Sequence, residues 1–221
     1  MIRAIGIDIS KWDTYYTPKQ PVDFVIQRLS YGLMKDERIA ELTPPTLAAP
    51  VKGAYHYYSS GSPWQSQMDF FLGLAVDKYD FLALDVEKGY NSGSSAFVLG
   101  VPLALAYLAE QSKKPVVLYV NPDMWNTWLL PVQTQLLKYD IWLAQYWFIR
   151  TASNPSVPKT MTQGWKFWQW SDIGPGAAYG VGSKSLDLNV FNGTVADLQA
   201  WAHPVAWKVC PTCGGSGKVP A

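Results

Sequence analysis

The chain has 221 residues, 48% hydrophobic and 16% charged, a length and apolar content that suit one domain around one large core. Eighteen Lys and Arg against 17 Asp and Glu leave a formal net charge of +1, and the basic residues are scattered, which argues against nucleic acid or acidic lipid as a partner. MIRAIGIDIS lacks a charged-then-apolar leader and no stretch reaches about 18 consecutive apolar residues, so neither a signal peptide nor a membrane span is expected.

Short apolar runs alternate with helical stretches, which predicts a mostly parallel sheet with crossover helices. Strands are predicted at Arg3–Ile9, Asp23–Leu29, Val51–Tyr57, Phe81–Asp85, Pro115–Val120, Ile141–Tyr146, Trp165–Trp170 and Leu186–Val190. Between the second and third, Pro44 and Pro45 allow only a short or broken helix. A helix over Pro63–Asp77 would take Ser62 as its cap and Pro63 as its first residue, and a second covers Ser95–Gln111. A third runs from Val195 to Trp201, with Thr194 and Asp197 spaced as a partial capping box. Ile149–Gln163 and Ser171–Ser185 are rich in Gly, Pro, Ser and Thr and show no helical period. The expected fold is therefore α/β, a single irregular (β/α) barrel of about eight strands with weak or missing helices in its second half. It would occupy residues 1–203 and leave a tail at 204–221.

Four carboxylates sit beside the strand-like runs: Asp8 in AIGIDIS, Asp85 and Glu87 in FLALDVEKG, and Asp187 in SLDLNVF. Barrel enzymes place their chemistry at the carboxyl ends of strands, where all four fall on this reading. Side chains two apart on a strand share a face and lie about 7 Å apart along it, so Asp85 and Glu87 point the same way. Such a pair can divide acid work from charge stabilisation, which is what glycoside hydrolysis requires. Crowding by the three aspartates would raise the pKa of Glu87 and suit it to be the general acid. Each aspartate also has a structural explanation, as a bond to a turn or to neighbouring amides. Aromatic residues make up 14% of the chain, with 11 Trp and 13 Tyr. Most would pack in the core, and those beside the carboxylates could stack on sugar faces.

GIDIS followed by Trp12, GAYHYY at Gly53–Tyr58, LALDVE at Leu82–Glu87, and WQWSD with LDLN near the end resemble, in residues and order, the family 25 glycoside hydrolases. Those enzymes are muramidases of bacterial and phage origin, and the resemblance runs from about Ile5 to Trp201. It implies cleavage of the β-1,4 bond between N-acetylmuramic acid and N-acetylglucosamine, with Glu87 as general acid, Asp85 or Asp187 assisting, and net retention. Covalent and substrate-assisted routes both stay open. Asp8 and Asp187 map onto the family's other active-site aspartates. The resemblance also places Tyr55 and Tyr57 in the barrel mouth, turns His56 away, and adds Tyr119, Trp142 and Gln169 as substrate contacts. It calls for no metal or cofactor. Where relatives often read F-V-x-x-K-A-x-E-G, this chain reads FVIQRLSYG, so Arg28 and Tyr31 stand in for other chemistry.

Two rival readings are a chitinase-like hydrolase, whose D-x-x-D-x-D-x-E run is absent around Glu87, and a non-catalytic glycan-binding module on the same barrel. Four like charges kept together speak against a pure binder. Without a leader, the enzyme would reach the wall by lysis or another export route, as resembling phage lysins do. The tail CPTCGGSGKVP resembles half of a zinc-binding repeat. Cys210 and Cys213 supply two of the four ligands a closed zinc site needs, so zinc would require pairing of two chains. Two reduced thiols on a dispensable stub are the simpler expectation.

Overall fold

A computed structural model describes residues 2–74, 76–89, 94–146, 153–204, 207–209 and 218–220, the last two as strand backbone. The strands are β1 (Ile5–Ile9), β2 (Phe24–Tyr31), β3 (Met34–Lys35), β4 (Val51–Tyr57), β5 (Phe81–Asp85), β6 (Val116–Val120), β7 (Asp140–Ala144), β8 (Phe167–Pro175) and β9 (Ser185–Phe191). Eight of them close a barrel in the order β1, β2, β4, β5, β6, β7, β8, β9 and back to β1, while β3 folds back on β2 as a short hairpin. Every barrel pairing is parallel except the two made by β9, which runs antiparallel to both β8 and β1. The expected irregular eight-strand barrel is borne out.

Alternation along each strand divides the core into an inner and an outer part. On β5, Phe81 and Ala83 pack inside the barrel with Asp85 next on that face, whereas Leu82, Leu84 and Val86 belong to the outer core. The closed end is filled by rings. Phe167 lies with its centroid 5.2 Å from those of Phe24, Phe81, Phe191 and Trp201. Gly6 and Gly53 make room for this plug, since a Cβ on either would come within 2.4 Å of the ring of Phe24 or Phe81. Helix α6 (Val195–Ala202, the last helix in sequence) carries Trp201 into the plug, and its indole N–H bonds Asp140 at 2.8 Å. Thr194 and Asp197 cap it reciprocally, the full form of the box expected from sequence.

The first-half helices are α1 (Ile39–Leu47), α2 (Trp64–Leu72) and α3 (Ser95–Ser112). Helix α3 is long and apolar enough by composition to cross a bilayer. It buries Phe97, Val101, Leu105 and Leu108 in the outer core instead. Pro44 and Pro45 both fall inside α1, which runs only nine residues. Sequence reasoning misplaced α2. Pro63 is its N-cap rather than its first residue, Ser62 makes no cap bond, and the helix ends at Leu72 with a separate 3-10 turn at Val76–Lys78. The Ser62 carbonyl instead accepts the Gln67 side-chain amide at 2.7 Å, which ties the loop to the helix from the side.

In the second half, crossovers shrink to the wide turn Met124–Trp128, the 3-10 turn Leu130–Val132 and the single-turn helices α4 (Gln133–Leu136) and α5 (Gly176–Tyr179). A second correction concerns β8. It starts at Phe167 rather than Trp165 and runs on to Pro175, through two register shifts opposite β9, into a stretch expected to be irregular. Period-two reasoning fails there because each bulge resets which face a residue takes. Beyond α6, β10 (Trp207–Val209) and β11 (Lys218–Pro220) pair antiparallel as their own two-stranded sheet. Cys210 and Cys213 lie outside the described residues.

Candidate active site

The open end of the barrel holds a cavity of about 260 Å³. All nine residues singled out from sequence line it: Asp8, Asp85, Glu87 and Asp187, with Tyr55, Tyr57, Tyr119, Trp142 and Gln169. Tyr57, Asp85 and Tyr119 sit side by side in register on β4, β5 and β6, so the parallel ladder sets their spacing. Asp8 on β1 faces Asp187 on β9 directly across the antiparallel pair. That pairing corrects the placement of Asp187, which enters the mouth from the amino end of its strand. In an antiparallel strand the amino end is the one at the carboxyl face of its parallel neighbours.

Asp8 organises one wall. Its Oδ2 accepts the Gln169 amide at 2.8 Å and the Asn189 amide at 2.7 Å. With their N–H groups committed to a carboxylate, both amides turn their oxygens the other way. Gln169 Oε1 then accepts the hydroxyls of Tyr119 and Tyr146 at 2.7 Å each, and Asn189 Oδ1 accepts the Trp142 indole at 2.8 Å. One buried carboxylate thus fixes five side chains.

Electrostatics in the mouth favour protonated carboxyls. Burial pushes the Asp8 carboxyl up to about 7 despite its two amide donors. Burial, then repulsion from Asp8 and Asp13, pushes Asp187 up to about 9. Asp85 is held well above the ordinary carboxylate range by burial and then by Glu87 and Asp8, and its buried Oδ1 has no hydrogen-bond partner among the described residues. Glu87 is raised by burial, against the Tyr119 hydroxyl and the Arg28 cation, which pull it down. Burial rather than crowding is therefore the main reason Glu87 would carry a proton, a change from the cause expected from sequence. Two such carboxyls facing one cavity resist losing both protons together. The arrangement sets a proton donor whose acid form is favoured beside further carboxyls that can share negative charge near a developing positive centre.

Arg28, Tyr146, Trp12 and Asn189 also belong to the site and were not singled out for it. Tyr146 had a signal, since it continues the every-second-residue face of Trp142 and Ala144. Arg28 is the one Lys or Arg among the described lining residues, and its Nε is clamped at 2.7 Å by Asp36, whose side chain is fully buried. Asp36 also accepts the backbone N–H groups of Lys11 and Arg38, so the cation is held from behind. His56 faces outward, as expected. It bonds Ser30 at 2.8 Å and Gln67 at 3.1 Å, and burial lowers its pKa to about 4, so it stays neutral in the scaffold.

Arg28 lowers the proton affinity of Glu87 and Asp85, so removing its charge should raise both. In Arg28→Gln the alkaline limb of kcat/KM is expected to move to higher pH, because Glu87 keeps its proton longer. Arg28→Lys, which keeps the charge, should move it less. A pH–rate profile of each variant makes the comparison, and a shift to lower pH would remove Arg28 from the electrostatics of the mouth.

Among the described residues, no group of three or more His, Cys, Asp and Glu is placed to hold a metal. A closed, mixed barrel whose carboxyl face gathers four acids among aromatic rings has the construction of a glycoside hydrolase. Comparison with known proteins makes the assignment specific: the sequence pattern of the glycosyl hydrolases family 25 matches residues 7–177, and the chain belongs to that family. The muramidase resemblance of its sequence motifs is thereby borne out, and the protein is a glycoside hydrolase. The chain is similar to Lysozyme M1 of Streptomyces globisporus, at 28% identity over 220 residues covering 91% of this chain and 72% of that one. Its structure is similar to the bacterial lysozyme of Streptomyces coelicolor, with a TM-score of 0.78 and 25% identity over 91% of this chain and 98% of the other. The catalytic domain of endolysin ply40 from Listeria phage P40 shares the fold, with a TM-score of 0.70 at 23% identity, covering 90% and 97% of the two chains.

Proposed function

We propose that this glycoside hydrolase is a peptidoglycan muramidase, cutting the β-1,4 bond between N-acetylmuramic acid and N-acetylglucosamine, with Glu87 as general acid. The observation that carries the proposal is the Asp85–Glu87 pair, at the end of β5 and two residues beyond it, both lining the mouth, with burial favouring the protonated acid. In the reaction, Glu87 gives its proton to the leaving glycosidic oxygen and later takes one from water, and the product keeps its anomeric configuration. Asp85 is the assisting group we favour. Its partnerless Oδ1 matches the acceptor that a 2-acetamido N–H needs when the acetamido oxygen attacks, which supports the substrate-assisted route.

Tyr55, Tyr57, Tyr119 and Trp142 would border the reacting sugar. Gln169, locked by Asp8 and two tyrosines, would keep the rings in register. Asp8, the more readily ionised of the pair it forms with Asp187 across the barrel seam, would supply the negative charge that steadies the anomeric centre from the opposite wall. The substrate is bacterial cell wall, reached after the protein leaves the cytoplasm, and residues 1–203 would suffice for hydrolysis.

Turbidity of a purified wall suspension tests the enzyme against the silent binder on the same fold. A muramidase clears the suspension and releases soluble glycan. Binding that pulls the protein down with the wall and leaves turbidity unchanged would overturn the proposal.

A further inference from the structure

Strand β2 begins by alternating in the ordinary way, with Phe24 and Ile26 inside the barrel and Val25 and Leu29 outside it. Between Arg28 and Ser30 the pairing with β4 shifts by one residue. Arg28 stands opposite Tyr55, Ser30 opposite His56 and Tyr31 opposite Tyr57. The extra residue is Leu29, which is fully buried in the outer core. Ser30 stays on the outside, bonded to His56 at 2.8 Å. Strict alternation would have sent Tyr31 outward; the bulge returns it to the mouth face, as bulges beside functional sites often do.

There Tyr31 packs against Tyr57, with ring centroids 4.9 Å apart and planes 35° off parallel. Gly32 follows with φ +52° and gives its N–H to the Tyr57 carbonyl at 3.1 Å, closing the turn that holds the pair. Tyr31 remains 40% exposed. Both rings border a second cavity of about 220 Å³, walled also by Tyr58, Phe97 and the loop at Ser59–Gly61. Tyr57 and Glu87 line this cavity and the catalytic one alike, so the two meet at the acid.

We propose that the second cavity is a subsite for a further pyranose of the glycan chain, with Tyr31 as the ring its C–H face stacks on. The proposal rests on reading the mouth as a glycan hydrolase. A polymer threaded past Glu87 must leave the catalytic cavity on some side, and this cavity opens there. Its walls are ring faces and hydroxyls, the chemistry that suits a sugar with one apolar face and a polar rim. A stem peptide would bring carboxylates and an amine. Among the described residues lining this cavity, Glu87 is the one charged group, which leaves nothing to pair with those carboxylates.

The test uses glycan strands stripped of their stem peptides, and the same strands with stems intact. In Tyr31→Ala, KM should rise about five- to tenfold on both substrates while kcat stays within about twofold. Tyr31→Phe, which keeps the ring, should restore KM. An unchanged KM would overturn the proposal, and so would a rise confined to stem-bearing strands, which would give the cavity to the peptide. Calorimetric binding of stripped strands to Glu87→Gln, with and without Tyr31→Ala, separates this inference from the muramidase reading. If intact enzyme leaves strands uncut and Tyr31→Ala still weakens binding, the hydrolysis reading falls and the subsite stands; equal binding by both proteins would overturn the subsite.

Discussion

Glu87→Gln is expected to lower the rate of wall hydrolysis by about 10²- to 10⁴-fold, the usual worth of a general acid, while leaving the melting temperature close to that of the unaltered protein. The two halves of this expectation have one cause. Burial already disfavours the charged form of Glu87, so a neutral amide of the same shape suits the same place. That amide cannot protonate the departing oxygen. Measured together, melting and lysis keep loss of chemistry apart from loss of fold. Lysis near the original rate would remove Glu87 from the acid role.

The largest expected loss of stability comes from the opposite end of the barrel. Phe167 stands at the centre of the aromatic plug, in ring contact with Phe24, Phe81, Phe191 and Trp201 and with no exposed surface. Phe167→Ala should cost about 3–5 kcal/mol, because the strands around the cavity are tied by ladders and cannot collapse into it. Against a total of about 5–15 kcal/mol that is a large fraction, and the melting temperature should fall by roughly 10 °C. A drop of only a degree or two in a thermal scan would mean that α6 and Trp201 close the gap.

The parts of the fold that follow from one strand's own pattern were legible in the sequence. Asp85 ends β5, and Glu87 two residues beyond reaches the same cavity because Val86 between them turns to the outer core, while Tyr55 and Tyr57 share a face within β4. Thr194 and Asp197 announced the start of α6 because both halves of a capping box lie within four residues. What escaped depends on pairing between strands. The direction of β9 is set by its neighbours, so the sequence around Asp187 does not reveal which end of the strand meets the mouth. Leu29 looks like any buried strand residue, yet as a bulge it decides that Tyr31 faces the cavity. Arg28 stands out in the sequence only as a departure from the usual pattern, because the Asp36 ion pair that holds its charge in place, eight residues on, is made by the fold.

The identity of the new reducing sugar tests the central claim most directly. Purified wall is digested to soluble fragments, the fragments are reduced with borohydride, and the terminal sugar alcohol is identified by mass spectrometry. A muramidase acting through Glu87 yields N-acetylmuramitol from the intact protein and none above background from Glu87→Gln. N-acetylglucosaminitol in its place, or an equal yield from both proteins, would contradict the account.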